Sequence, residues 1–343
     1  TSGGHARDDL DSEMTMAEAT KTVNLGIVGA GGMGKTHSAA AASLGGRARV
    51  AAIVDSNADA ATKLAGETGA DSFGSVTDMI GALKGDLDAV VLCTPPSVRE
   101  DVVAAALENG TAVLVEKPLA ENRDHAQRLV DLAAKFPGVV TASAYCHRFT
   151  PAVREMMRLA DAGDIGRVVR WENVFACSIP DMGGKWMSDP AVSGGGSLID
   201  TGCHSLDLFH YMQGGLEAVA SVFDRKWDGR GESGASSLVR SPKTGVAGVI
   251  MNGWLEPARF LVTLVGEEGI LTYDYEQPES LFRTSVTGEK SAIAVETHDV
   301  RFARQMEAFI DAAAGATRDP NLATFADGLA VAEAVESLTA TAR

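Results

Sequence analysis

The sequence predicts an α/β protein of two domains, the first built on a parallel sheet and the second on a mainly antiparallel sheet. Its 343 residues exceed the usual length of one domain. Apolar runs of strand length alternate with helix-like stretches up to residue 143, which is typical of βαβ units with helices on both faces. Beyond that point strand-like runs follow one another with few helices between them, as in an antiparallel sheet.

Residues 23–143 are predicted to form the parallel domain. Its strands are short apolar runs that suit burial on both faces, and stretches rich in helix formers connect them. The predicted strands are Val23–Val28, Arg49–Val54, Ala89–Cys93, Ala112–Val115 and Val139–Ser143. The predicted helices are Lys35–Leu44, Ala58–Thr68, Val76–Gly81, Val98–Asn109 and Arg123–Lys135.

Residues 144–343 are predicted to form the second domain, whose last two helices could pack back on the first. The predicted helices are Pro151–Ala162, Leu198–Met212, Phe302–Ala314 and Ala323–Thr341. The predicted strands are Val168–Ala176, Ala218–Phe223, Ser236–Val239, Val246–Leu255, Phe260–Val265 and Ile270–Tyr273.

Two of these strands, Val246–Leu255 and Phe260–Val265, carry apolar side chains on both faces. A sheet with two apolar faces must be covered twice. Local helices can cover one face, and another subunit can cover the other. We therefore expect a homo-oligomer, either a homodimer or a homotetramer.

Composition excludes several classes of function. The chain has 30 basic and 46 acidic residues, so its net charge is −16, and such a surface repels nucleic acids and anionic membranes. No stretch approaches 18 uninterrupted apolar residues, so we expect no membrane span. The four cysteines form no C-x-x-C pair, which favours free thiols in the cytoplasm, and no cluster has metal-ligand spacing. We predict no metal.

Residues 1–22 are polar and carry five acidic side chains without a strand pattern. They contain no apolar core of a signal peptide. We interpret them as a disordered tail or an artificial addition, with the natural start at Met14 or Met16.

A glycine-rich loop between the first predicted strand and helix predicts a dinucleotide site. Gly29, Gly31 and Gly34 have the G-x-G-x-x-G spacing, and Asp55 ends the next strand. The first glycine allows a tight turn, the second lets a pyrophosphate approach, and the third lets the helix pack on the strand. Asp55 can accept hydrogen bonds from a ribose diol and repels a 2′-phosphate. The pattern predicts that the cofactor is NAD, with NADP as the alternative. Gly32 and Met33 of the same loop are also expected to contact the cofactor.

Two further motifs follow predicted strands at their carboxyl ends, where ligands bind in doubly wound sheets. Cys93-Thr94-Pro95-Pro96 turns the chain outward, and we place Thr94 and Pro95 at the cofactor. Glu116-Lys117-Pro118 places a carboxylate and a lysine at the same edge. Lys117 could bind a substrate hydroxyl or carry a proton. From the spacing alone, an ordinary surface lysine is the favoured interpretation of Lys117, and a functional lysine is the alternative.

The second domain contains an acid and a histidine at helical spacing. Asp200 and His204 are four residues apart, so on a helix they share one face, and three glycines, Gly194–Gly196, precede them. A histidine paired with an acid is a common general base at neutral pH. From this pattern alone a structural pair is as good an interpretation as a catalytic one. His210 lies off that face and is interpreted as structural, and Asp207 as a supporting residue.

Together these motifs resemble the Gfo/Idh/MocA oxidoreductases. The matching segments, in chain order, are GIVGAGGMGKTH (26–37), Asp55, CTPP (93–96), EKPLA (116–120), HRFTPAV (147–153), DAGDIGRV (161–168), WMSDPAVSGGGSLIDTGCHSLDL (186–208) and QMEAFIDA (305–312). The resemblance implies a Rossmann domain followed by an α/β domain with a large open sheet. It also implies that Lys117, Asp200 and His204 are catalytic, and that the Lys117–Pro118 bond is cis.

The resemblance also directs attention to residues 145–188 as the variable substrate pocket. The candidates there are Tyr145, His147, Arg148, Lys185 and Trp186, and the catalytic trio completes the substrate site. Glu116 and Lys117 are expected near the cofactor as well.

The sequence therefore predicts a cytoplasmic NAD-dependent dehydrogenase of a secondary hydroxyl in a sugar, sugar derivative or cyclitol. His204 would take the hydroxyl proton, Asp200 would orient His204, and Lys117 would bind the reacting oxygen; Lys117 and His204 could exchange roles. An acidic surface favours a neutral polyol over a phosphorylated one. Two alternatives remain: a relative that cleaves glycosides through transient oxidation, and a non-catalytic NAD-sensing protein.

Overall fold

The structure, a computed structural model, describes residues 22–342. The predictions for the tail cover residues 1–22, of which residues 1–21 lie outside this range. The first sheet has six parallel strands in the order β3-β2-β1-β4-β5-β6, which is the order of a Rossmann domain. The strands are β1 (Val23–Val28), β2 (Ala48–Val54), β3 (Asp71–Phe73), β4 (Ala89–Leu92), β5 (Ala112–Glu116) and β6 (Thr141–Ala144).

Five helices connect these strands. They are α1 (Gly32–Ala42), α2 (Ala58–Thr68), α3 (Val76–Ala82), α4 (Glu100–Glu108) and α5 (Arg123–Ala134). Asn57, Ser75 and Asn122 cap α2, α3 and α5 by accepting backbone N–H groups, as polar residues at a helix start commonly do. β4 is buried along its whole length, which explains its uniformly apolar sequence.

The second sheet has eight strands in the order β14-β13-β12-β11-β7-β10-β9-β8. Its strands are β7 (Val168–Ser178), β8 (Glu217–Asp224), β9 (Gly234–Arg240), β10 (Ala247–Gly253), β11 (Leu255–Gly266), β12 (Gly269–Asp274), β13 (Ser280–Ser285) and β14 (Lys290–Ala294). Only β7 and β10 pair in parallel; all the other described pairs are antiparallel. The predicted fold class is confirmed.

The described part of this domain has five α-helices, α6 (Pro151–Asp161), the short α7 (Pro190–Ser193), α8 (Cys203–Gln213), α9 (Arg301–Ala313) and α10 (Phe325–Thr341). Of these, α6, α8 and α10 cover one face of the sheet. α6, α8 and α10 contribute to the main core of this domain, in which Trp171 of β7 contacts Phe209 of α8. The core of α9 lies elsewhere: Met306 and Phe309 pack in one cluster with Leu25 and Ile27 of the Rossmann sheet.

The opposite face of the eight-stranded sheet is open in a single chain. Val222 of β8 is 61% exposed and Leu238 of β9 is 40% exposed. In the strand register Leu238 lies opposite Val249 of β10. The sheet thus has one face packed under helices and a second, partly apolar face without cover.

Three strands were not predicted, and the predicted helix Leu198–Met212 does not begin as a regular α-helix. The three strands, β3, β13 and β14, are short, and β14 is almost wholly exposed. None of them has the apolar pattern of a buried strand. β11 begins at Leu255 rather than at the predicted Phe260. Its first residues, which include Pro257, pair irregularly with β7 between Leu255 and Arg259, and a proline there interrupts the pattern by which a strand is recognised. The predicted helix Leu198–Met212 opens with a π-helical turn at Leu198–Gly202 before α8.

Among residues 22–342 no helix combines the length and the apolar character that crossing a membrane requires.

Candidate active site

A cavity of about 1050 Å³ opens at the carboxyl edge of the Rossmann sheet, and residues of both domains line it. The predicted cofactor residues on its wall are Gly29, Gly31, Gly32, Met33, Asp55, Thr94, Pro95, Glu116 and Lys117. From the second domain the wall includes Trp186, Met187, Ser193, Ile199 and Asp200. Motifs that lie far apart in the sequence thus meet at one site; among the predicted cofactor and catalytic residues, Gly34 and His204 are not on its wall.

The glycines of the loop have two different functions. Gly29 has a φ of +105°, and a side chain there would meet the backbone of Cys93. A Cβ atom at Gly34 would overlap the carbonyl oxygen of Gly29, so this glycine allows α1 to pack on the strand. Gly31 and Gly32 face open space at the start of α1. Because the first turn of α1 has no acidic side chain, its free N–H groups can bind an anion there.

Asp55 lies at the end of β2 and is tied to the glycine loop. Its carboxylate accepts hydrogen bonds from the N–H of Ala30 at 2.7 Å and from the N–H of Asn57 at 2.8 Å. The side chain is half-buried on the cavity wall, where further donors can reach it. A phosphate-sized opening at a helix start with a carboxylate beside it fits a dinucleotide such as NAD.

Arg99 holds two loops of the cavity wall together, and the sequence did not indicate this function. Its guanidinium is buried and donates to the carbonyl oxygens of Thr94, at 2.7 Å, and Glu116, at 2.5 Å, and also to that of Pro118. Burial lowers the pKa of Arg99 to about 10, although the nearby Glu116 opposes this. An arginine in a loop gives no signal in the sequence that distinguishes it from a surface residue.

Glu116 and Lys117 end β5 next to a cis Lys117–Pro118 bond, as the resemblance implied. Glu116 is buried and bonds to His37 Nε2 at 2.7 Å. Lys117 Nζ donates to the backbone oxygen of Asp200 at 2.7 Å and to its Oδ1 at 3.0 Å. Burial alone would lower the pKa of Lys117, but the acidic groups around it, Asp200 first and then Cys203 and Glu116, together outweigh burial and raise the pKa above its ordinary value. Lys117 is therefore a charged hydrogen-bond donor.

The expected contact between Asp200 and His204 is not formed, which corrects the prediction. Asp200 lies in the π-helical turn, four residues before His204 of α8. Its carboxylate pairs with Lys117 instead, and Nδ1 of His204 is buried without a hydrogen-bond partner among the described residues. Burial, together with the positive charges of His147 and Lys117, lowers the pKa of His204 well below its ordinary value. His204 is therefore a neutral imidazole at neutral pH.

The predicted substrate residues divide into two groups. Trp186 lies on the cavity wall and is 46% exposed. Tyr145 and His147 do not line the cavity but surround His204: the ring of His147 lies 4.6 Å from that of His204, edge to face, and the ring of Tyr145 lies 6.4 Å away. Nδ1 of His147 bonds to the hydroxyl of Tyr275 at 2.7 Å. No sequence motif singled out Tyr275, which lies just after β12.

Arg148 belongs to neither group: it is predicted to contact substrate, but it is buried in an ion pair and does not line the cavity. Its guanidinium forms a double hydrogen bond with the carboxylate of Asp207, at 2.6 and 2.9 Å, and it approaches Asp327 at 3.5 Å. It also lies over the ring of Tyr211. Both side chains of the Arg148–Asp207 pair are almost wholly buried. Arg148 therefore joins α8 to α10 rather than lining the pocket.

Among residues 22–342 no group of three or more His, Cys, Asp or Glu side chains is arranged to hold a metal ion. The four cysteines are free thiols. Lys185 forms an exposed ion pair with Asp181 near the cavity mouth.

Comparison with known proteins gives matches along most of the chain. Residues 23–143 match a family model described as an oxidoreductase family with an NAD-binding Rossmann fold. Residues 153–272 match the model of the GFO/IDH/MocA C-terminal domain. The rhizopine catabolism protein MocA of Rhizobium meliloti is 31% identical over 55% of this chain and 57% of its own. An inositol 2-dehydrogenase of Leifsonia xyli is 29% identical over 93% of this chain and 92% of its own.

For several of the curated relatives the match spans only about half of the relative's length. Among solved structures, a levoglucosan dehydrogenase in complex with NADH and levoglucosan aligns with a TM-score of 0.84 and 21% identity. The alignment covers 94% of this chain and 97% of the other. At that level of identity the likeness establishes the shared fold.

Proposed function

The chain belongs to the Gfo/Idh/MocA oxidoreductase family, and from this premise we propose that it is an NAD-dependent dehydrogenase. Its substrate would be a sugar, sugar derivative or cyclitol, oxidised at a secondary hydroxyl or reduced as the corresponding ketone. The observation that supports this most strongly is the Lys117–Asp200 ion pair, which lies on the wall of the cavity that the glycine loop also lines.

The residues of the site divide the chemistry among themselves. Lys117, as a charged donor, binds the reacting oxygen and stabilises the negative charge that develops there. Asp200 holds the ammonium group of Lys117 in place. His204, a neutral imidazole at the start of the helix that follows Asp200, accepts the hydroxyl proton on oxidation and returns it on reduction. When bound, the nicotinamide group supplies the hydride acceptor or donor.

This division of roles favours one of the two assignments that the sequence left open. A raised pKa keeps Lys117 protonated, so it has no free lone pair to accept a proton at neutral pH, whereas a lowered pKa leaves the imidazole of His204 unprotonated. Asp200 serves Lys117 rather than His204. Trp186 offers an exposed aromatic face on the cavity wall, which suits contact with the C–H face of a sugar ring.

An absorbance screen for NADH tests the proposed function. Cyclitols, aldoses, aminosugars and anhydrosugars would each be incubated with the chain and NAD or NADP. We expect NADH to accumulate with at least one neutral polyol. Release of a cleaved glycoside without net NADH would instead indicate the transient-oxidation reaction. Binding of NAD without turnover of any compound in the panel would contradict a dehydrogenase.

Asp55 is expected to set the preference for NAD. Asp55→Ala removes an acceptor for the ribose diol and the charge that repels a 2′-phosphate. Because a hydrogen bond to a charged group contributes about 1.5–3 kcal/mol, kcat/KM for NAD should fall by roughly 10- to 100-fold, and the NAD-to-NADP ratio should fall with it. Asp59→Ala, which removes an exposed carboxylate from the nearby helix α2, is the control. An unchanged ratio in Asp55→Ala would refute this role.

We also propose that the chain is a homodimer or homotetramer assembled through the open face of the second sheet. Light scattering after size-exclusion chromatography should give at least twice the mass of one chain. Leu238→Asp, on that face, should shift the protein toward the monomer, because a charge buried in the interface has no partner. Val286→Asp alters an exposed valine between β13 and β14, off the sheet, and should leave the mass unchanged. A monomeric wild type would contradict the proposal.

The net charge and the free thiols of the chain are consistent with an enzyme that acts on a small neutral molecule. The net charge of −16 opposes nucleic acids, anionic lipids and phosphorylated substrates alike. The free thiols support a reducing, cytoplasmic location, which stays a prediction.

A further inference from the structure

The turn that carries Asp200 is held at its start by a residue from a distant loop. Oε1 of Glu232 accepts a hydrogen bond from the N–H of Leu198 at 2.8 Å. The backbone oxygen of Glu232 accepts a second one from the N–H of Ser197 at 2.9 Å. Glu232 is only 5% exposed, although it lies in the loop before β9 and not on the helix it contacts.

We propose that Glu232 is a positioning residue, which fixes the π-helical turn and thereby the Lys117–Asp200 pair. This inference rests on the proposed dehydrogenase function of that pair. Glu232 contacts neither the cavity nor a proposed catalytic side chain, so it acts only through the turn.

The carboxylate of Glu232 is bound by backbone N–H groups. Among the described residues no lysine, arginine or histidine forms an ion pair with it. The N–H groups at the start of the turn supply partners instead, where the dipole of the helix favours a negative charge. Burial raises the pKa of Glu232, and its hydrogen bond with the N–H of Leu198 and the positive charge of Arg225 oppose that shift. A buried acid that forms no ion pair is costly unless it is hydrogen-bonded, so this side chain has a defined place.

The loop of Glu232 lies directly against the glycines before Asp200. A Cβ atom at Gly196 would overlap the backbone of Glu232, and one at Gly231 would overlap the carbonyl of Gly195. Gly194, with a φ of +88°, lies in the same way against the carbonyl of Glu121, in the loop that follows Lys117. The glycine segment is therefore packed between the Lys117 loop on one side and the Glu232 loop on the other.

This contact is linked to the reacting groups through the backbone. The N–H of Asp200 donates to the carbonyl of Gly196 at 3.1 Å, and the carbonyl of Asp200 accepts from Lys117 Nζ. A shift of Gly196 would therefore move Asp200 and the ammonium group bonded to it. Misplacement of a catalytic group by about 1 Å can reduce a rate by roughly 10²-fold.

Three variants test this inference by activity and by amide hydrogen exchange. Glu232→Ala removes the acceptor, Glu232→Gln keeps an acceptor oxygen without the charge, and Glu155→Ala removes a surface carboxylate of α6. We expect Glu232→Ala to lower kcat by roughly 10- to 100-fold, with KM and the affinity for NAD within about twofold. Exchange in the peptide 194–204 should accelerate. Glu232→Gln should restore kcat to within about threefold of wild type, and Glu155→Ala should match wild type.

The two readouts separate the ways in which the inference can fail. Unchanged exchange in Glu232→Ala would show that Glu232 does not hold the turn. Faster exchange with an unchanged kcat would show a structural role only, and would also overturn it. If Glu232→Ala does not fold, a Glu232→Gln protein that folds but has lost kcat would contradict the role of the acceptor oxygen. If the wild type oxidised no polyol, the proposed function would fail, while hydrogen exchange would still test the contact.

Discussion

Replacement of Lys117 by methionine or of His204 by asparagine is expected to lower kcat by a factor of roughly 10² to 10⁴. Without Lys117 the charge that develops on the reacting oxygen has no donor, and Asp200 loses its partner. Without His204 the hydroxyl proton has no acceptor in the site. NAD should still bind to both variants, because the glycine loop and Asp55 are untouched.

Initial rates of NADH formation with a polyol found in the screen, at saturating NAD, measure this effect. Lys63→Met, on the exposed face of α2, controls for loss of a lysine. His210→Asn controls for loss of a histidine from the same helix as His204, because His210 is bonded to Asp327. Near-normal rates in both active-site variants, with normal NAD binding, would refute the assignment.

The cofactor half of this site could be predicted from the sequence because the patterns that indicate it are local. The G-x-G-x-x-G spacing and an acid at the next strand end require only a strand, a turn and a helix. The rule that ligands bind at the carboxyl edge of a parallel sheet then brought Thr94 and Lys117 to the same place. The fold class followed from the same alternation of strands and helices.

The Asp200–His204 pair shows where local rules fail. Spacing of four residues can place two side chains on one helix face, but it does not decide which partner each side chain binds. The carboxylate of Asp200, in the π-helical turn Leu198–Gly202, pairs with Lys117 of the other domain. The start of this turn also contacts Glu232, and the glycines before it lie against Glu121, both distant in the sequence. Glycines before a helix permit close approach of a ligand or of another backbone, and in the structure Gly194 and Gly196 lie against the backbones of two loops.

The adjacent residues His147 and Arg148 show a second limit of the sequence. Both lie in the variable segment to which the family resemblance directs the substrate pocket, so both are predicted to line it. They lie in a 3₁₀ turn, Cys146–Phe149, in which successive side chains diverge by about 120°. His147 points to His204 and Tyr275, whereas Arg148 points to Asp207. A sequence gives no indication of such a turn, and edge strands such as β14 are missed for a similar reason: exposure leaves them without an apolar pattern.

Arg148→Ala should therefore lower stability rather than substrate affinity. The side chains of Arg148 and Asp207 are 3% and 1% exposed. Removing the guanidinium leaves the carboxylate of Asp207 buried without its charged partner, which costs about 3–5 kcal/mol in the free energy of unfolding. Denaturant unfolding at a fixed protein concentration measures it. Arg158→Ala breaks an exposed ion pair with Glu155 and should cost at most about 1 kcal/mol.

A double variant identifies the cause of that loss. In Arg148→Met combined with Asp207→Leu, no charge is left buried alone, so much of the stability lost in Arg148→Ala should return. A purely geometric role of the arginine would instead make the double variant at least as unstable as the single one. Kinetic measurements separate the two roles further. Loss of a residue that holds α8 and α10 together lowers the fraction of folded enzyme, whereas loss of a residue that binds substrate raises KM. A raised KM with an unchanged free energy of unfolding would place Arg148 in the substrate pocket after all.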